Sequence, residues 1–394
     1  MTVPSVTDVG RRIAYQRRVA RLTQRQLANA AHIALGTLRK IEQGERGIGD
    51  DVLDSVAAAL GVDPAQLLPR QDQADDRVHA AMPGLSAAIA TYDLPDDGPV
   101  RPVQELRTAV EESVAWRLSA QYVRITRRLP ALLEELSRSR QLVPAAQRPL
   151  VAMLLVSACR TADAVAYKYG ARDLSARLVD LMRWAVTQTG DPLLEAAVAY
   201  VRTETYFAAR AHGPGLRALE QALDAAPAPE SVQSAAARGA LHMRAAVIAG
   251  RAGNSEAAET HLCQARLLGT RVPEGIYHGT AFGPASVRIH EVSVAVSLGG
   301  DHVHQALAAA RNWTPPDCLP QERRSGYYIE LARALLWAGR PDASFASLQA
   351  ARRIAPQHTR EHRWVREDAA TLRRLKRSDA ESLTSFAEWC RATR

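Results

Sequence analysis

Residues 22–44 read LTQRQLANAAHIALGTLRKIEQG, and this stretch decides the first part of the fold. Thr23 to Gln26 is a capping box: the threonine hydroxyl caps a new helix and Gln26 reaches back to the cap. Leu27, Ala28 and Ala31 then make one apolar face. His32 falls where a tight inter-helix turn needs a left-handed residue, and histidine is among the non-glycine types enriched there. Ile33 plugs the core. A second helix from about Leu35 to Gln43 turns Leu38 and Ile41 inward, and Gly44 ends it as a left-handed stop. Ala28 is small enough for the two helices to cross closely. Before them, a helix from about Asp8 to Ala20 sets Val9, Ile13 and Ala20 inward with arginines around them. After them, Asp50 or Asp51 starts a fourth helix closed by Gly61, and Asp63-Pro64 supplies the cap and first position of a fifth.

Charge is concentrated in the same place. The chain has 394 residues and a net charge of +8, with 47% hydrophobic, 23% charged and 5% aromatic residues. That is the composition of a globular protein with an Ala, Leu and Val core, which favours helices. Residues 1–49 carry nine basic against three acidic residues, a net of +6. The tail from Arg352 carries eleven basic against six acidic, a net of +5, so the middle is nearly neutral. A basic head is the footprint of a phosphate-binding module, whereas an isolated arginine run is more often a solvated helix. The motif within the run favours the first reading.

Two short helices joined by a three-residue turn form a helix-turn-helix. The segments LTQRQLA at 22–28, TLRKIEQG at 37–44 and ALGVD at 59–63 resemble the phage-repressor-like (XRE, or Cro/C1-type) DNA-binding family over about residues 7–68. The resemblance implies a five-helix, lambda-repressor-like domain whose second motif helix lies in the major groove. It makes Gln24 a phosphate clamp, sets Leu35, Gly36, Thr37, Arg39 and Lys40 toward the groove, and returns Gln43 to the backbone. Ala34 stands where the family has a Ser/Thr cap, and Leu35-Gly36 stand where it has polar readers. Leu35 suits a thymine methyl, and Arg39 suits a bidentate contact to guanine. Arg17, Arg18 and Arg46 are expected to bind phosphates without sequence preference.

Pro69 to Pro102, rich in Asp, Gly and Pro, reads as a hinge with one helix around Asp75 to Thr91. Beyond it there is no strand signal, only amphipathic helices, the first a long one broken near Pro130. The expected domains are 1–69, a linker at 70–102 and a helical body at 103–394. From Pro144 helix pairs recur, with turn glycines expected at Gly170, Gly213, Gly253, Gly300 and Gly339. The clearest units, Gly239 to Leu268 and Ser325 to Pro356, place small residues where paired helices cross. They resemble tetratricopeptide repeats, which implies an all-α chain ending in an α-solenoid with a concave groove. A generic helical domain is the alternative.

Enzyme chemistry finds little support. His358, Glu361 and His362 match the H-x-x-E-H pattern of inverted zinc proteases, but their basic flanks read as a wet, exposed helix. A zinc hydrolase is therefore a distant alternative. Asp301, His302 and His304 read as a cap and exposed histidines. Gly213-Pro-Gly215 lacks the strand of a nucleotide loop. Cys159, Cys263, Cys318 and Cys390 are far apart and read as buried apolar residues in a reducing cytoplasm. No catalytic residue, metal or cofactor is expected. The longest apolar run, Leu150 to Ala158, is too short to span a bilayer, and no membrane association is expected.

Polar residues recur among apolar ones on the first helix of successive pairs, the helix that lines the groove in tetratricopeptide arrays. Arg160, Tyr167, Arg202, Tyr206, His242, Arg244, Arg288 and Tyr327 are the candidate effector residues; the plain alternative is inter-helix salt bridges. The expected function is a homodimeric bacterial transcriptional regulator on double-stranded DNA, with a body that senses a small molecule or peptide or mediates dimerisation. The layout resembles the peptide-pheromone receptors of Gram-positive bacteria and large actinomycete regulators. Those receptors grip peptide backbone with asparagines, and this chain has only Asn29, Asn254 and Asn312. A protein scaffold tethered to DNA by its head is the competing expectation.

Overall fold

A computed structural model of the chain describes residues 6–62, 64–67, 71–375 and 380–392. Asp63, expected to cap the fifth helix, lies outside them. The helices α1 (Val6–Val19), α2 (Gln24–Ala30), α3 (Leu35–Gln43), α4 (Asp50–Leu60) and α5 (Pro64–Leu67) are followed by α6 (Gln71–Ala88). Thr23 and Gln26 close a reciprocal capping box on α2. His32 sits at φ 52° in the turn, and Gly44 and Gly61 end α3 and α4 in left-handed conformations. Gly49, not an aspartate side chain, precedes α4 as its N-cap. Val9, Ile13, Leu27, Ala28, Leu38, Ile41, Leu53 and Val56 share one core, whereas Ala20, expected inward, is exposed.

Gly10, which belongs to no sequence motif, is what lets α1 approach α3. A Cβ placed on Gly10 would lie 2.0 Å from the Ile41 carbonyl oxygen, so only glycine permits this crossing.

Two long helices follow, α7 (Val103–Leu118) and α8 (Tyr122–Leu142). The break expected near Pro130 falls instead at Ser119-Ala120, where Ala120 adopts φ 55°, and α8 continues through Pro130. The chain divides into two units, 1–85 with 121–130, and 86–120 with 131–394. Within the first unit the opening turns of α8 hold α4. Arg124 donates to the Asp54 carbonyl at 2.7 Å, and Arg127 pairs with the Asp54 carboxylate at 3.0 Å. In the second unit the end of the expected hinge is pinned, because Arg101 makes a bidentate pair with Glu135 on α8.

The rest of the second unit is built from antiparallel pairs. They are α9 (Arg148–Lys168) with α10 (Arg172–Val186), α11 (Pro192–Ala209) with α12 (His212–Ala225), and α13 (Val232–Arg251) with α14 (Ser255–Gly269). Then come α15 (Pro284–Leu298) with α16 (Val303–Ala309), and α17 (Gln321–Trp337) with α18 (Pro341–Ile354). The chain ends in α19 (Pro356–Glu361), α20 (Arg363–Leu375) and α21 (Ala380–Trp389). α13 packs on α14, and the residues expected at that crossing, Ala245, Ala246 and Ala249 of α13 and Ala258, Leu262 and Ala265 of α14, are all buried. α9, with the turn before it, is long and apolar enough to cross a membrane, but 67% of that window is buried in the protein, as a core helix is.

Three expectations need correction here. Gly213 is not a turn; it lies inside α12, and the reversal is made by Arg210 at φ 54°. Nearby Gly215 is there for packing, since a Cβ would sit 2.3 Å from Ile248. Secondly, a short hairpin, β1 (Gly275–Tyr277) with β2 (Thr280–Phe282), interrupts the helices. His278 and Gly279 both take positive φ at its tip, the conformation a two-residue hairpin turn needs. Thirdly, Cys263 and Cys318 are exposed and only Cys159 and Cys390 are buried.

Gly10→Ala should lower head stability by at least about 1–3 kcal/mol, the usual cost of overpacking, because the opposing atom is backbone and cannot rotate away. Amide hydrogen exchange should show the loss in α1 to α4 and spare α13 to α18.

Candidate nucleic-acid interface and interior polar groove

Helix α3 is held from inside by Leu38 and Ile41 and tied from the side by one carboxylate. Glu42, half-buried on its last turn, accepts from Arg17 of α1 at 2.7 and 3.0 Å and from the Gln24 amide of α2 at 2.7 Å. Arg17 also donates to the Leu22 carbonyl, and the hydrogen bond with Glu42 raises its pKa further. The sequence reading counted Glu42 only as a charge. Its signal was that it is the one acidic residue within the cationic segment from Arg11 to Gln43.

This network redistributes the expected site. Arg17 is committed to Glu42 and does not present a guanidinium to an outside phosphate. Gln24 stands at the first position of α2, beside the face of α3, with its amide engaged by Glu42. Arg39, Lys40, Gln43, Arg46 and Arg18 are exposed, and Thr37 and Leu35 are half-buried, Leu35 against the core. Gly36 is exposed, and nothing lies within 4 Å of where its Cβ would be. The outer face of α3 thus carries Arg39 and Lys40, with no carboxylate hydrogen-bonded to either among the described residues.

In the second unit the eight candidate effector residues separate. Arg160, Tyr167 and Arg244 come together. Arg244 reaches Glu204 at 3.2 Å and stacks on the Tyr200 ring at 4.2 Å. Burial and then Glu204 push the Tyr167 phenol up. Of the other five, Tyr206, His242, Arg288 and Tyr327 pack against neighbouring elements, and Arg202 packs on Tyr206 of its own helix. Arg202 lies over Tyr206, whose side chain packs at Gly215. His242 pairs with His261 of α14 at 3.0 Å, and burial lowers it to about 4. Arg288 donates to the Ala309 carbonyl and covers Trp313, while Tyr327 is fully buried beneath that same indole.

Residues outside those eight complete the groove. Lys168 pairs with Glu322 at 2.7 Å. Burial would raise Glu322, but Lys168 and the neighbouring cations bring it down to about 2. Arg323 contacts His290 and the Tyr200 hydroxyl; burial would raise that phenol, but Arg244 and Arg323 lower it to about 8. Glu330 is held by the Ser293 hydroxyl, and burial lifts it to about 7. They come from α9, α11, α15 and α17, so only the stacking of helix pairs assembles them.

The H-x-x-E-H segment differs from its expected exposure. His358 is buried and hydrogen-bonded to Ser325 at 2.6 Å, and Thr359 and Arg360 are buried with it. α19 ends at Glu361, and His362 turns extended at ψ 121°, so the two histidines do not share a continuous helix. Glu361 pairs with Arg366. Among the described residues no three His, Cys, Asp or Glu side chains group to hold a metal.

Glu330 gives a pH prediction. Its folded pKa of about 7 stands above its ordinary 4.5, so its contribution to stability is present below pH 4.5 and lost as pH rises through about 7. His290, His358 and His362, lowered by burial, act with the opposite sign. The comparison with Glu330→Gln therefore isolates the carboxyl. In thermal unfolding the variant should gain on the native chain between pH 5 and 8, while matching it at pH 4.

Residues 13–67 match the family model described as helix-turn-helix. No curated protein matches the chain. Among solved structures, Bacillus thuringiensis PlcR in complex with the peptide PapR7 and DNA is similar at 14% identity and TM-score 0.28, covering 67% of this chain and 95% of that one. The apo form of the competence regulator ComR from Streptococcus vestibularis is similar at 12% identity and TM-score 0.30, covering 96% and 99%. Residues 13–67 are a helix-turn-helix domain of the phage-repressor (XRE) type, followed in the chain by an all-helical body.

Proposed function

We propose that the chain is a DNA-binding transcriptional regulator whose head reads duplex DNA through α3 and whose helical body senses an effector. The observation that carries this is the outer face of α3: Arg39 and Lys40 exposed on a helix whose inner face is locked by Leu38, Ile41 and Glu42. A rigid helix with a free cationic edge is what major-groove entry requires. Arg39 is the base-reading residue, and Arg18, Lys40 and Arg46 contact phosphates. Arg17 and Gln24 act from behind, fixing α1 and α2 to α3. Two heads, supplied by a homodimer, match an inverted repeat and give the site enough length. The reading is that of a regulator rather than a catalyst, working in the cytoplasm on the chromosome.

The groove around Arg244, Tyr200 and Glu204 supports the sensing role. Its charges are desolvated yet engaged with one another, an arrangement that a bound ligand shifts in population. For the head, genomic selection of bound DNA followed by titration is the test. Arg39→Ala should cost about 1–3 kcal/mol on the selected site and leave nonspecific binding nearly intact. Equal weakening on all DNA would make Arg39 a phosphate contact. Gly36→Ala should stabilise the free head by up to about 1 kcal/mol and yet weaken binding to the selected site, because the added methyl meets DNA rather than protein. Unchanged affinity would place the groove contacts elsewhere on α3.

A further inference from the structure

Beside the Arg244 groove, and sharing Arg160 with it, α7, α9, α11 and the hairpin tip line a cavity of about 370 Å³. Its wall is hydrocarbon: Val110 and Val114 from α7, Leu154 from α9, Met182 from α10, and Val198 and Val201 from α11. Arg107, Arg117 and Arg160 also line it, against one carboxylate, Glu111, which is itself exposed. The volume lies at the lower end of small-molecule sites, and an apolar wall with a few convergent polar groups is their usual make-up.

The cationic end is built into the fold. Arg160 donates to the His278 carbonyl and at 2.6 Å to the Thr280 hydroxyl, and Arg117 donates to the Gly279 carbonyl at 3.0 Å. The two guanidiniums thus hold the hairpin tip over the cavity, and a Cβ on Gly279 would lie 3.0 Å from one and 3.1 Å from the other. Both of these Arg160 acceptors, a carbonyl and a hydroxyl, are neutral. Burial, together with Arg117, lowers its pKa to about 9, with Tyr200 and Glu204 opposing the drop. The buried Arg107 Nε has no hydrogen-bond acceptor.

We propose that this cavity binds a small amphipathic monocarboxylate, an aliphatic or arylalkyl acid, with its hydrocarbon on the α7, α9 and α11 wall and its carboxylate on Arg117 and Arg160. The planar fork of arginine suits a carboxylate, and the mainly apolar wall, with Ser157 and His278 as further polar side chains beside Arg107 and Glu111, suits a hydrocarbon chain better than a sugar or a base. That this occupant regulates DNA binding rests on the effector reading above; that it binds does not.

Decanoate is the probe, with decanol and decylamine as controls of the same chain length, each titrated calorimetrically into the full chain. Decanoate should bind, and both controls should bind at least about tenfold more weakly, the share of a charge-assisted hydrogen bond. Arg160→Gln should weaken decanoate by a similar factor. Should that variant unfold through loss of its hairpin contacts, Ala197→Trp decides. Ala197 lines the cavity on α11, and the indole should fill it and abolish binding without removing an arginine. Equal binding of decanol and decanoate, no binding of decanoate, or undiminished binding to Ala197→Trp would each overturn the site. The same titration repeated on selected DNA separates the two claims. Decanoate that binds without altering DNA affinity leaves this site standing and removes the effector reading.

Discussion

A single carboxylate organises the head. Glu42 takes the guanidinium of Arg17 and the amide of Gln24, so three helices meet at one half-buried anion on the last turn of α3. Charge-assisted hydrogen bonds of this kind are roughly twice as strong as neutral ones and far more directional. Their effect is to fix the rotation of α3 about its axis, and that rotation decides which residues face outward. With Leu38 and Ile41 beneath, the outward residues are Arg39 and Lys40. Were Glu42 absent, Arg17 would add another mobile cation to the surface and α3 would lose its lateral anchor.

The body solves a different problem. Alanines are buried where α13 packs on α14, and glycines let neighbouring elements close in: a Cβ on Gly239 of α13 would strike Phe282 of β2, and one on Gly215 of α12 would strike Ile248 of α13. Tight pairs leave their polar residues to face inward along the first helices. There Arg244 pairs with Glu204 and stacks on Tyr200, Lys168 pairs with Glu322, and burial lifts Glu330 to about 7. Such a file adds little net stability, since desolvation offsets most of the attraction. Its physical consequence is that any entering charge changes the balance for several neighbours together.

Much of the head was legible in the sequence because its signals are local. The Thr23 and Gln26 box, His32 in the turn, and Gly44 and Gly61 as stops each act within a few residues, and each stands where the spacing puts it. Gly10 and Glu42 were not legible, because what they touch lies some thirty and some twenty positions away. The same contrast runs through the body. The pairing of α13 with α14 and of α17 with α18 could be read from small residues around a turn glycine. The hairpin at 275–282 is too short to show a period, and Gly213 imitates a turn because Arg210, an unlikely residue for positive φ, makes the real one. The groove candidates were chosen by recurrence along the chain, which cannot separate Arg244, facing inward, from His242 and Arg288, bonded across to neighbouring helices. Likewise basic flanks suggested an exposed His358, whereas Arg360 and Thr359 are buried with it.

The account depends on the outer face of α3 entering the major groove. Methylation interference on DNA selected by the full chain tests this most directly, because guanine N7 lies in the major groove and adenine N3 in the minor. The prediction is interference at guanine N7 within each half-site, lost at one position when Arg39 is alanine. Interference confined to adenine N3, or no DNA retained at moderate salt, would contradict it.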